Sequence, residues 1–178
     1  TLVTSVTAFV VNASSNWWGS ALESSILGGI GGSIDYTPWL NVGTDASPAS
    51  GFQGNFSALK VSAASPQTGP VGRIQEAINR VSGSTVSVAA GTYAETVNLN
   101  KHVSLIGAGS GAVGGTIITK TGGSDGVVNL LASGVSAVDP VLLKDIRIQP
   151  VGVAGISVGT FTGATGTSVS WIKLDNVK

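Results

Sequence analysis

The sequence predicts an all-β fold in which short strands stack as the coils of a parallel solenoid. From about Thr85 onward, many strand-length runs place apolar residues at every second position, and Gly, Ser, Asn or Asp separate the runs. One apolar phrase recurs along this region, and a helix-patterned segment precedes the first strand. Together these observations favour stacked coils with a cap at one end.

The recurring phrase reads VSLIGA at 103–108, VLLKDI at 141–146 and IKLDNV at 172–177, at offsets of 38 and 31 residues. Further strands, such as TIITKT and GISVG, lie between the copies and predict two or three strands per coil. Parallel stacking would satisfy the backbone groups everywhere except at the two ends of the stack. The ends are therefore its weak points.

The segment PVGRIQEAINRV, residues 70–81, predicts one short helix near 71–81. Its apolar residues follow the i, i+3, i+4, i+7 spacing of a helix, with Gly69-Pro70 as a start signal and Gly83 as a stop signal. Because an exposed solenoid edge must be covered, its position before the first strand favours a cap. The alternative is an ordinary surface helix.

Composition excludes several classes of function. Charged residues make up only 10% of the 178 residues, and nine basic groups balance nine acidic ones. The cations are scattered, so nucleic acid is not an expected partner. Cys is absent and His102 is the only histidine, so we expect no metal and no cofactor. No apolar run reaches the roughly 20 residues of a membrane span, and the Ser-, Thr- and Gly-rich surface favours an extracellular or cell-surface location.

The stretch RIQEAINRVSGSTVSVAAGTYAETVNLNKHVSLIGAGSG resembles the amino-terminal opening of right-handed parallel β-helix repeat proteins. These belong to the pectate-lyase-like superfamily, and the likeness is to its bacterial secreted or surface type. There, a capping helix leads to a strand, an AAGTY turn and an LIGAG motif. The resemblance covers about residues 70–178, and it implies a right-handed parallel β-helix with an N-terminal cap.

Residues 1–57 resemble the opposite end of such proteins, through the motifs NWWGS, DYTPWL and GFQGNFS. The expected organisation is therefore a closing coil and Trp-rich end segment at 1–40, a linker at 41–70, and a capping helix with opening coils at 71–178. Motifs typical of the end of a β-helix thus precede motifs typical of its start. This order suggests a segment of a longer tandem array or a permuted chain. The alternative is an artificial or proteolysed fragment.

Four aromatic residues cluster in the closing segment: Trp17, Trp18, Tyr36 and Trp39. Exposed rings could stack on sugar faces. The favoured interpretation is that they plug the open end of the hydrophobic core.

The resemblance implies that enzymes of this kind would need acidic residues converging from adjacent coils. Asp145 and Asp175, which we assign to the same place in the recurring phrase, are the best candidate pair of stacked acids. A turn-stabilising role is the favoured alternative, because Asp and Asn often accept backbone N–H bonds in turns. We predict no catalytic residue, and the chain is not expected to be an enzyme.

Two functions follow as hypotheses. The first is an extracellular structural module whose copies associate head to tail into a surface fibre, sheath or adhesin stalk. The residues predicted to carry self-association are Leu2, Val3, Val6, Phe9, Ile172, Leu174 and Val177. The alternative is a polysaccharide-binding or polysaccharide-degrading module, a lyase or hydrolase, with cell-surface glycans as partners.

Overall fold

The structure, a computed structural model, describes residues 9–159, 161–162, 165–166 and 168–178. Most of its regular elements are short strands, and two short helices accompany them. In chain order they are β1 (Val11–Asn12), α1 (Glu23–Gly29), β2 (Ile34–Asp35), β3 (Trp39–Leu40), β4 (Ala58–Val61), α2 (Arg73–Arg80), β5 (Thr85–Val88), β6 (Gly91–Ala94), β7 (Val97–Leu99), β8 (Ser104–Ile106), β9 (Thr116–Thr121), β10 (Val128–Leu130), β11 (Val141–Val151), β12 (Ile156–Val158), β13 (Phe161–Thr162), β14 (Thr165–Gly166) and β15 (Ile172–Val177).

The largest sheet is mixed and branches at the long strand β11. On one branch, β4, β5, β8, the amino half of β11 and β15 run parallel, and β3 adds to β4 in the antiparallel direction. On the other branch, β6 and β9 pair in parallel with the carboxyl half of β11. β11 therefore joins two ladders.

The remaining strands form separate sheets. β7, β10 and β12 make a three-stranded parallel sheet, and β1 and β2 make a parallel pair. β13 and β14 form a short antiparallel pair.

The predicted fold class, an all-β right-handed parallel β-helix with one capping helix near 71–81, is wrong. The strands divide into three sheets of parallel or mixed strands plus an antiparallel pair, and no single solenoid is formed by the described residues. A helix does form within 71–81, but α1 is a second helix that the sequence did not predict. The period-2 pattern identifies strands and their buried faces, whereas it does not specify how separate ladders are joined.

The recurring apolar phrase sets the register of neighbouring strands. Leu143 lies opposite Leu105 on one side and opposite Leu174 on the other. Leu105 and Leu143 are fully buried, whereas Leu174 is 50% exposed because β15 is the outermost strand of this ladder among the described residues. Burial of apolar side chains thus decreases toward β15.

No N-cap side chain caps the start of helix α2, because the N-cap residue is Gly72. The carboxylate of Glu95, which follows β6, accepts the backbone N–H groups of Ile74 at 3.1 Å and Gln75 at 3.0 Å. It satisfies two of the helix's free amide groups in the manner of a cap. The apolar face of α2, including Ile74 and Ile78, is buried in the main core.

Two apolar clusters hold the chain together. The larger contains the inward residues of β4 to β11 with the buried face of α2, and the smaller contains Ile26, Tyr36 and Trp39.

In the described part of the chain, neither helix combines the length and apolarity that a membrane crossing requires. The predicted division at residues 40 and 70 stays a prediction, while β4 lies inside the segment assigned to the linker.

Candidate functional site

Two of the four predicted aromatic residues are buried. Tyr36 is 1% exposed and Trp39 is 2% exposed, and their ring centroids lie 5.8 Å apart at a tilt of 56°. The Tyr36 hydroxyl donates to Glu23 Oε1 at 2.7 Å. Burial of the hydroxyl and, to a smaller extent, this hydrogen bond raise the pKa of Tyr36 to about 12. Rings in this position cannot stack on a sugar.

The other two aromatic residues are partly exposed and belong to different clusters. Trp17 packs against the main core, and Trp18 packs against the smaller cluster. The four side chains therefore do not form one aromatic platform. This arrangement is compatible with the favoured packing role and offers no row of ring faces for a glycan.

The two predicted acids do not face each other across the strands. In the β11–β15 register, Asp175 lies opposite Lys144, with Lys144 Nζ 3.6 Å from Asp175 Oδ2. The partner of Asp145 is instead Asn176, whose Nδ2 donates to Asp145 Oδ1 at 2.7 Å. Asp145 and Asn176 both have left-handed backbones, with φ of 55° and 51°, which Asp and Asn tolerate better than most residues.

Metal and histidine chemistry receive no support from the described residues. No group of three or more His, Asp or Glu side chains there could hold a metal ion. His102 Nε2 lies 3.1 Å from Asp139 Oδ1, beside a carboxylate that is 58% exposed. This is a solvated surface pair.

The predicted self-association residues fall into three groups. Leu2, Val3 and Val6 lie outside the described residues, and Phe9 is 79% exposed. Ile172 and Val177 are partly buried against the main core, and Leu174 is half exposed. Ile172, Leu174 and Val177 all belong to β15, the strand at one end of the ladder that contains β11.

An apolar groove of about 420 Å³ lies at this end. Its walls come from β11, β12 and β15, and include Ile148, Pro150, Ile156, Leu174 and Val177. Among the described residues no further strand pairs with the outer edges of β15 and β12. The groove and these two edges are called the open end below.

At the opposite end, the outer edges of β7 and β4 are covered. The side chain of Gln75 in α2 bonds to the backbone of Asn98 in β7, and β3 occupies the outer edge of β4. Lys101 Nζ donates to the carbonyls of Asn79 and Val81 at the carboxyl end of α2, at 3.2 and 3.0 Å. Gln75 and Lys101 could not be predicted from the sequence, because single polar residues on a helix and in a turn carry no distinctive pattern.

No family model, no curated protein and no solved structure matches this chain. The resemblance to the pectate-lyase-like superfamily therefore stays a prediction that rests on the quoted motifs.

Proposed function

We propose that this protein is an extracellular structural module whose copies associate head to tail through the open end. The observation that carries the proposal is the asymmetry between the two ends of the ladders. At one end, α2 and β3 cover the outer edges of β7 and β4. At the other end, no strand of the described residues pairs with the outer edges of β15 and β12, which lie beside an apolar groove. Unpaired edges are templates for another chain.

The side chains at the open end supply the driving force. Leu174, Val151 and Val158 are 50%, 56% and 50% exposed, and all three belong to strands at this end. Ile172 and Val177 reach into the main core but remain partly exposed. A strand added beside β15 would bury this apolar surface and satisfy the free backbone groups at once.

The covered end determines what a second copy can contribute. Because α2 and β3 occupy the outer edges of β7 and β4, a second copy cannot stack its own ladder directly there. It must supply a separate strand, and residues 1–9, TLVTSVTAF, are the apolar, β-patterned segment that we assign to this role. Leu2, Val3, Val6 and Phe9 would then pack on the groove of the next copy, and repetition of this contact gives a fibre.

The charge of the chain favours a second copy as the partner that binds at the open end. The chain has a formal net charge of zero, so copies do not repel one another at long range. β15 itself carries both signs, with Lys173 exposed and Asp175 paired with Lys144. β15 therefore carries no patch of a single charge that would repel a second copy of the chain.

Sedimentation velocity over a range of protein concentrations tests the proposal. The parent chain should associate as concentration rises, and Leu174→Lys should move association to at least about tenfold higher concentration, because burying an unpaired ammonium costs more than about 1.4 kcal/mol. Removal of residues 1–9 should have the same effect. Val113→Lys is the matched control, since Val113 is 95% exposed and does not line the groove.

Two results would contradict the proposal. A parent chain that stays monomeric at every concentration would exclude self-association. Equal weakening by Leu174→Lys and Val113→Lys would show that association does not use the open end.

A further inference from the structure

The turn that leads into β11 contains the one Asp-Pro bond of the sequence, between Asp139 and Pro140. The bond before a proline is a tertiary amide, and an aspartate side chain can reach the carbonyl carbon of its own residue by closing a five-membered ring. Such an attack is intramolecular, so correct orientation of the carboxylate greatly accelerates it. An Asp-Pro bond is therefore a chemical weak point wherever a fold holds it in a reactive geometry.

Two backbone N–H groups of this turn point at the Asp139 carbonyl oxygen. The Val135 N–H donates to this oxygen at 2.9 Å, and the Ser136 N–H donates to it at 3.3 Å. The Asp139 N–H donates in return to the Ser136 carbonyl at 3.2 Å and closes the turn. Two amide donors on one carbonyl oxygen stabilise the negative charge of a tetrahedral intermediate. The turn thus supplies an oxyanion hole for the bond that follows Asp139.

The Asp139 carboxylate is available as a nucleophile. His102 Nε2 lies 3.1 Å from Asp139 Oδ1, whereas Oδ2 has no hydrogen-bonding partner within the part of the chain that the structure describes. The side chain is 58% exposed, so water reaches it. One carboxylate oxygen is therefore held in place, and the other is free to react.

Backbone hydrogen bonds fix the chain on both sides of the Asp139–Pro140 bond. Before it, the Gly134 N–H donates to the Ser170 carbonyl at 3.0 Å, and after it, the Val141 N–H donates to the Trp171 carbonyl at 3.0 Å. Gly134 packs so closely on Pro140 that a Cβ at position 134 would collide with the Pro140 backbone. These contacts hold the carbonyl group against its two donors.

We propose that the folded chain cleaves its own peptide bond between Asp139 and Pro140. Asp139 Oδ2 attacks the Asp139 carbonyl carbon and forms a C–O bond, while the Val135 and Ser136 N–H groups stabilise the charge on the carbonyl oxygen. The C–N bond then breaks, and the Pro140 nitrogen takes a proton from solvent and leaves as a secondary amine. Water hydrolyses the cyclic anhydride to two carboxyl groups. The products are one chain that ends at Asp139 and one that begins at Pro140.

The products remain associated in the folded protein, because β11 still pairs with β8 and β9 across the cut. Cleavage is therefore measured by mass spectrometry after denaturation. The purified chain is incubated at mildly acidic pH with protease inhibitors, either folded or unfolded in urea, and fragments 1–139 and 140–178 are quantified over time. The folded chain should form them at least about tenfold faster, since a single oxyanion-hole donor contributes about 10²–10³ in rate.

Variants test the two reacting groups. Asp139→Ala removes the nucleophile and should abolish cleavage at this bond, and Asp139→Glu, whose carboxylate must close a six-membered ring, should slow it. Pro140→Ala should also slow cleavage, because the leaving nitrogen no longer belongs to a tertiary amide. Asp125→Ala, at an exposed acid on another loop, is the matched control and should cleave at the parent rate. Circular dichroism at the incubation pH verifies that each variant is folded.

Three results would overturn the proposal. An intact folded parent chain throughout the incubation would exclude the reaction. Equal rates for the folded and the urea-unfolded chain would show that the turn does not assist it. Cleavage of Asp139→Ala at the parent rate would show that the carboxylate is not the nucleophile.

Discussion

The side chain of Gln75 pairs with Asn98 as a neighbouring strand would. Gln75 Oε1 accepts the Asn98 backbone N–H at 2.6 Å, and Gln75 Nε2 donates toward the Asn98 carbonyl at 3.4 Å. One residue of α2 thus satisfies the backbone donor and acceptor in the middle of β7. The edge of this sheet is covered by a side chain rather than by a strand.

Gln75→Ala should therefore expose the edge of β7. We expect the Asn98 amide to exchange with solvent faster and the free energy of unfolding to fall by about 1–3 kcal/mol, because a donor and an acceptor lose their partner. Hydrogen exchange and chemical denaturation measure the two effects. Gln75→Glu, which retains an acceptor for the Asn98 N–H and loses the donor, should lie between the parent and the alanine variant. Unchanged protection of Asn98 in Gln75→Ala would contradict this role.

Glu95 predicts a specific pH dependence of stability. Burial raises the pKa of Glu95 above its usual value of 4.5, against the opposing effect of the Gln75 and Ile74 N–H groups. Above pH 4.5 the unfolded chain releases this proton while the folded chain still holds it. The resulting stabilisation is fully present below pH 4.5 and is lost as the pH rises through the folded pKa.

Glu95→Gln does not titrate and provides the reference. The difference in unfolding free energy, parent minus Glu95→Gln, should decrease as the pH rises from about 4 toward neutrality. Chemical denaturation of both proteins at a series of pH values measures this difference. A constant difference, or one that increases with pH, would show that the cap interactions outweigh burial.

Part of the fold could be predicted from the sequence because it depends on local patterns. The alignment of VLLKDI with IKLDNV places Val141 opposite Ile172 and Leu143 opposite Leu174, as the structure does. The same alignment places Asn176, not Asp175, opposite Asp145, so the sequence held the signal for the observed Asp145–Asn176 pair. The proposed pair of acids overlooked this offset of one residue.

The remaining features depend on contacts between distant parts of the chain. α1 has Leu22 at its N-cap without a side-chain bond, and its buried residue Ile26 packs with Tyr36 and Trp39. The formation of α1 is therefore explained by tertiary packing rather than by helix signals in the sequence. Glu95 and Gln75 likewise act on backbone groups about twenty residues away, and no spacing rule identifies such partners.

Asp35 should be among the residues most sensitive to substitution. Its side chain is fully buried and accepts the Thr68 N–H and Thr68 hydroxyl at 2.7 Å each, together with the Ser65 hydroxyl at 3.2 Å. Asp35→Ala should lower the unfolding free energy by at least about 3 kcal/mol, because bonds to a charged acceptor contribute about 1.5–3 kcal/mol each. Thermal denaturation should show the loss, and Asp125→Ala, at an exposed acid, is the control. Similar melting temperatures for the two variants would contradict this anchoring role.

Asn176 allows a separate test of the strand that forms the open end. Its backbone is left-handed at φ 51°, its Nδ2 donates to Asp145 Oδ1, and its Oδ1 accepts the Ser110 hydroxyl at 2.8 Å. Asn176→Val should destabilise the chain most, because it removes both bonds and adds about 1–2 kcal/mol of backbone strain. Asn176→Gly removes the same bonds but accepts this backbone readily, so its loss of stability should be smaller. Chemical denaturation of the two variants isolates the backbone contribution, since neither retains the side-chain bonds. Equal stability would mean that β15 adjusts its backbone at this position, and the edge offered to a second copy would then not be fixed by the Asp145–Asn176 pair.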